Sequence, residues 1–172
     1  MNREEAARRR RAQAAARYRP DRVDTLLVAE APPSALDRYF YFEDVGEHDS
    51  LFRHVVQAVL GERPTRDKAP YLDELRDRGW FLVHLSEDPF RDRAALPPLV
   101  PDLLARCEQL APQRILIVGA PRYDLVHRPM RQAGLPVVEV RMPFPGSGQQ
   151  RRFLDAMEPL VTSRAPSRSG RS

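Results

Sequence analysis

Cysteine is nearly missing from this 172-residue chain, where Cys107 stands alone. A single thiol excludes an internal disulfide framework and a cysteine-based zinc cluster; within a helix-like stretch it reads as a small buried apolar residue. Lysine is equally scarce, Lys68 standing beside 27 arginines, a bias that reads as genomic rather than functional. No apolar run approaches the ~18 residues that would suggest a membrane span. The start, NREEAARRRRAQAAARYRP, lacks the apolar middle of a secretory signal. Its Arg/Ala-rich character resembles an organellar transit peptide, but Glu4 and Glu5 count against that. The expectation is a cytoplasmic protein with no membrane partner. His48, His54 and His127 show no metal-ligand spacing, and neither a metal nor a cofactor is expected.

Acidic charge is lacking at the two ends. Residues 1–22 hold eight Arg against three acids, and residues 161–172 hold three Arg and no acid. The chain as a whole is +4, so residues 23–160 carry −4 and the basicity belongs to the ends. Such ends either add salt-sensitive, sequence-independent affinity for phosphate backbones or are solvated tails. The expected organisation is a basic N-terminal helix or tail over 1–22, one domain over 23–161 and a disordered basic tail over 162–172.

Between the ends, short β-branched runs alternate with helical patterns. Strands are expected at 24–29, 80–85, 114–119 and 136–141. Helices are expected at 3–18, from Asp49 or Ser50 to Leu60, and at 68–78, 98–110, 122–133 and 149–161. Leu51, Val55, Val56 and Val59 form one face of the second helix, and Gly61, Gly79, Pro112 and Gly134 act as stops. Strands separated by helices predict an α/β fold, a three-layer α/β/α sandwich around a short, mostly parallel four-stranded sheet.

Two of those strands end abruptly. VDTLLVAEAPP stops on Glu30 and two prolines, and VVEVR is followed by Met142-Pro143-Phe144-Pro145-Gly146. In open parallel sheets ligands sit at the carboxyl ends of strands, so the two loops are expected to face one pocket. Gly146, Ser147 and Gly148 open the last helix, where free backbone N–H groups favour a phosphate, and Arg151 and Arg152 extend that surface. A Gly-rich cap with solvated arginines is the alternative. The space after the third strand, Gly119-Ala120-Pro121, reads as a turn from which Arg122 could face the same pocket.

The order of elements and both loops resemble the uracil-DNA glycosylase superfamily over residues 24–160. Glu30-Ala31-Pro32-Pro33 is similar to the Glu-Ala-Pro-Gly first motif of its iron–sulfur branch, and Met142-Pro143-Phe144-Pro145 stands where the family carries His-Pro-Ser-Pro. The resemblance implies a protein that binds DNA, takes a flipped or single-stranded base and excises a damaged or deaminated base by hydrolysing the N-glycosidic bond. It implies Glu30 and His84 as catalytic residues, Glu30 acting on sugar or water and His84 on the base. Base-binding falls to Ala31, Pro32, Phe40, Phe42 and Met142, and DNA-binding to Phe144, Gly146, Ser147, Gly148, Arg151 and Arg152. The chain departs from the pattern at Met142, whose thioether replaces the leaving-group His and has no proton to give. It also lacks the cluster cysteines, so no iron–sulfur cluster is implied. Two other functions stay open: a non-catalytic DNA-binding member of the fold, or a small nucleotide-binding hydrolase.

Several of these residues have a plain alternative. Glu30 can cap its turn or pair with an Arg. His84, on WFLVHL, can be a hydrogen-bonded core residue, and at least two of the rings Tyr39–Phe42 belong to a core. Phe144 either wedges into a base stack or packs over its loop. Pro89 and Phe90 read as loop packing.

Overall fold

A computed structural model describes residues 2–35, 38–44, 49–65, 67–89 and 92–163. The expected tail from 164 onward, His48 and Phe90 lie outside the described residues, as does part of the 34–48 loop. Helix α1 spans Arg3–Arg17 and precedes strand β1, Thr25–Ala29. Helices α2 (Ser50–Leu60) and α3 (Ala69–Asp77) lead to β2, Trp80–His84. Two 3-10 turns, Arg93–Ala95 and Pro97–Leu99, open α4 (Val100–Leu110), which returns the chain to β3, Arg114–Ile117. Helices α5 (Ala120–Gln132) and α6 (Gln150–Thr162) follow. Among the described residues no helix is long and apolar enough to cross a membrane.

The sheet is parallel, in the order β2-β1-β3, with Thr25 in register with both Trp80 and Arg114. As the central strand, β1 is buried along its whole length, which explains its unbroken apolar run. Helix α2 packs against α3 and α6, and α4 against α5, so helices cover both sides.

The expected fourth strand is corrected: the sheet has three. Residues 136–141 run beside β3 but touch it only at two isolated parallel bridges, Ile115 with Val137 and Val118 with Met142. Between them β3 advances three residues and its neighbour five, so the neighbour carries two extra residues and bows away, as in a bulge. Ion pairs tie the bow to α5: Arg141 donates to Asp124 of α5 from Nε and Nη2, both at 2.9 Å, and Arg131 of α5 donates to Glu139. The β-branched Val137, Val138 and Val140 announce a strand, but spacing between contacts cannot be read from that pattern.

The opposite edge is closed by a side chain. The Tyr41 hydroxyl donates to the Leu82 carbonyl at 2.9 Å and accepts from the Leu82 N–H at 2.6 Å, as a neighbouring strand would. This occupies the exposed ladder of β2 and blunts the edge against pairing with another chain. Tyr18, just beyond α1, stacks on Tyr41 with ring centroids 6.3 Å apart.

Helices α2 and α1 are held in different ways. Asp49 caps α2 by accepting from the Phe52 N–H at 3.0 Å, and Leu51, Phe52, Val55, Val56 and Val59 are buried. Each such apolar side chain contributes about 1.5–3 kcal/mol, so α2 is welded on. Helix α1 buries only Arg11. It is docked by polar groups: Arg8 and Arg11 both pair with Asp88, Tyr18 donates to Glu43, and the Arg10 guanidinium lies 4.3 Å above the Phe42 ring.

Candidate functional site

The strand order creates a switch point. From β1 the chain leaves into α2 and α3 on one side of the sheet, and from β3 it leaves into α5 on the other. Connections that diverge from neighbouring strands leave a crevice between them at the carboxyl end. Here that crevice is a cleft of about 450 Å³. Glu30 and Ala31 from the turn after β1, Gly119 to Arg122 from the start of α5, and Pro143, Phe144, Gly146, Ser147 and Gln149 line it, with Arg93 at the margin.

Backbone hydrogen bonds fix the floor. The Ser86 N–H donates to the Glu30 carbonyl at 2.9 Å, and the Val118 N–H donates to the Val28 carbonyl at 2.9 Å, so the ladder continues past the named strands. The Glu30 carboxylate pairs with the Arg122 guanidinium, whose side chain is only 11 % exposed. Burial pulls the Arg122 pKa below its usual value. Arg122 stands in the first turn of α5, whose cap, Gly119, has a φ of +98° that an L side chain rarely adopts.

The other wall is a strained turn. Ser147 has φ +49°, and Gly148 follows with φ +81° before α6 begins. A non-glycine residue held there stores of the order of 1–3 kcal/mol and is kept only where its surroundings over-determine it. Two contacts do so: the Gln149 N–H donates to the Gly146 carbonyl at 3.0 Å, and the Ser50 hydroxyl at the start of α2 donates to the Pro145 carbonyl. A Cβ at Gly146 would meet the Phe144 ring at 3.2 Å, so glycine lets that ring lie against the turn. Phe144 is 46 % exposed, the one large apolar side chain left open among the described residues. Helix α6 starts with no side-chain cap, leaving its first N–H groups directed out of the helix; Arg151 and Arg152 are exposed on that turn.

The structure thus brings Glu30, Ala31, Phe144, Gly146 and Ser147 together, with Gly148 and the two α6 arginines beside them. It does not bring His84 to them. At the end of β2, the His84 ring sits 5.9 Å from the Tyr39 ring and lines a separate recess of about 320 Å³ under α1. Burial first, then the charges of Arg106 and Arg11, lower its pKa to about 3. Met142 is fully buried behind the cleft, and Pro32 is buried as well. Phe40 packs edge-on against Phe52, and Phe42 against Tyr39; neither lines the cleft. These rings are apolar enough for either fate, and only the loop's path under α1 decides for the core.

Sequence reasoning missed the most consequential polar pair. Lys68, the single lysine, is buried: its Nζ donates to Asp49 Oδ2 at 3.0 Å and to the Tyr39 carbonyl at 3.0 Å. It also lies 4.3 Å above the Phe52 ring. Burial lowers its pKa, and the Asp49 charge opposes that. The lysine ties the aromatic loop to the cap of α2, whose next residue holds the 145 turn. Its rarity among arginines was the available signal. Among the described residues no group of three or more His, Cys, Asp or Glu is placed to hold a metal ion. The chain matches no family model and no curated protein.

Proposed function

We propose that the chain binds DNA through the cleft at the β1–β3 switch point, as a divergent uracil-DNA-glycosylase-like protein that holds a base and its phosphate without excising the base. One observation carries this reading: the Glu30 turn and the 143–149 turn, far apart in sequence, share one cleft. Its volume of about 450 Å³ falls in the range of small-ligand sites. Phe144 offers an exposed ring for stacking, and the uncapped start of α6 with Arg151 and Arg152 offers N–H groups and positive charge for a phosphate.

The same geometry speaks against bond cleavage. Hydrolysis of a glycosidic bond places positive charge on the sugar and negative charge on the departing base, so it requires an anionic stabiliser and a donor. Glu30 has its charge offset by Arg122, Met142 has no proton to give, and neutral, buried His84 faces another recess. Without a placed donor a rate loss of the order of 10²–10³ is expected from that term alone.

Fluorescence anisotropy with labelled single- and double-stranded oligonucleotides tests the reading. We expect salt-sensitive binding, weakened at least tenfold by Ser147→Asp combined with Arg151→Gln and Arg152→Gln, and no release of uracil, hypoxanthine or xanthine. Base release by the wild type that disappears in Glu30→Ala would replace this reading with excision. Absence of oligonucleotide binding would end both.

A further inference from the structure

We propose that the recess between α1 and the residues Pro33, Ala35, Arg38, Tyr39 and Phe42 is a phosphate-binding site, in which Arg3, Arg10 and Arg38 hold the phosphate oxygens. It is a different place from the DNA-binding cleft and does not depend on that reading. The recess has a volume of about 220 Å³ and is lined, among the described residues, by four arginines (the fourth is Arg11) and no carboxylate. Its remaining walls are alanines of α1, Pro33, Ala35, Tyr39 and Phe42.

The recess gathers positive charge. Several other arginines are paired with acids: Arg8 and Arg11 share Asp88, Arg17 meets Glu43, Arg122 meets Glu30 and Arg141 meets Asp124. Arg3, Arg10 and Arg38 have no such partner among the described residues. The nearest acids on α1 are Glu4 and Glu5 in its first turn, and Glu5 is engaged in the capping box with Asn2. Three arginines around one hollow, with no acid partner among the described residues, favour the entry of an anion.

The donors are prearranged. Arg3, Ala6, Ala7 and Arg10 are spaced to lie along one face of α1, and that face is turned to the recess. The Arg10 guanidinium carbon lies 4.3 Å over the Phe42 ring, and a guanidinium held against a ring in this way keeps N–H groups for a phosphate. The Tyr39 hydroxyl, its pKa pushed up to about 12 by burial, remains a neutral donor at the same wall. Arg38 approaches from the loop, so the ligand would be gripped from two elements.

The recess and the cleft share a wall. Ala31 lines one and Pro33 the other, and two residues of backbone span no more than about 7 Å. A phosphate in this recess therefore comes from either of two sources: a nucleic-acid backbone passing over the Pro32–Pro33 turn, or a free phosphate compound.

The full-length chain is compared with the variant Arg3→Gln/Arg10→Gln/Arg38→Gln and with Arg9→Gln/Arg63→Gln/Arg128→Gln, which removes equal charge from exposed positions elsewhere. In one arm, melting temperature is read in sodium phosphate against sodium chloride at matched ionic strength. A free-phosphate source predicts a rise of about 2–4 °C in the wild type, lost in the recess variant and kept in the control. In the other arm, affinity for a single-stranded oligonucleotide is read across salt. A backbone source predicts at least tenfold weaker binding in the recess variant and a log–log salt slope shallower by about two, beyond any change in the control. Loss in either arm supports the site and names its source. A recess variant indistinguishable from the control in both arms overturns it. Should the triple variant melt early, Arg38→Gln alone, which leaves every docking contact of α1 intact, decides by the same comparison.

Discussion

The cleft between β1 and β3 and the recesses under α1 sit on either side of one proline turn, yet they are built from opposite materials. The cleft is made by backbone: a positive-φ glycine at the start of α5, a strained Ser147, and a carbonyl of the 145 turn gripped by Ser50. The recesses are made by side chains, arginines and rings laid against each other by a helix that buries almost no apolar surface of its own. A backbone site is fixed as soon as the sheet and α2 are in place. A side-chain site depends on polar contacts that salt and pH can loosen. The difference teaches that the two sites need not rise and fall together under mutation.

The largest expected effect breaks both at once. Lys68→Met leaves Asp49 and the Tyr39 carbonyl buried without their cation. Removing one member of a buried pair costs about 3–5 kcal/mol, to be read as a lowered urea midpoint with unchanged m-value. Adding Asp49→Asn should return part of that loss, because the uncompensated charge then disappears. If Lys68→Met unfolds no earlier than wild type, the lysine does not tie the aromatic loop to α2.

A smaller effect separates the regions by pH. His84 titrates near 3 in the folded chain and at about 6.5 when unfolded. Between those values the unfolded state binds the extra proton, so stability rises with pH through this window and falls as pH drops from about 6.5 toward 3. His84→Asn should flatten that part of the stability–pH curve measured by urea unfolding, and should leave ligand binding in the cleft unchanged. An unaltered slope in the variant would assign the acid sensitivity to other groups.

The smallest effect sharpens the backbone side. Ser147→Gly relieves the positive φ and is expected to stabilise the fold by about 0.5–1 kcal/mol. It should also weaken oligonucleotide binding severalfold, since the turn loses its fixed shape. Thermal melting and anisotropy on the same preparation check both signs.

How much of this was legible beforehand varies by element. The cap at Asp49, the apolar face of α2 and the stops at Gly61 and Gly79 stand where local chemistry put them. So does the meeting of the Glu30 and Pro143–Ser147 turns, which follows from strand order and ligand placement in parallel sheets. The bow of residues 136–141 was illegible because β propensity says nothing of how many residues separate two bridges. The sequence pattern joins His84, Phe40 and Phe42 to the cleft because it shows α1 only as a basic helix or tail; the docking of α1 depends on Asp88 and Glu43, distant acids that no local pattern pairs with it.

By itself the amino-acid sequence determined the alternation of strands and helices, the buried central strand and the two proline-stiffened turns, because periodicity, caps and ring constraints act over a few residues. Only the tertiary structure decided which charges met. It set Arg122 on Glu30, Lys68 on Asp49 and Arg11 on Asp88, and it gathered Arg3, Arg10 and Arg38 around one hollow with no acid among the described residues. Coulombic pairing is set by distance in space, and the chain order of these residues carries no record of it.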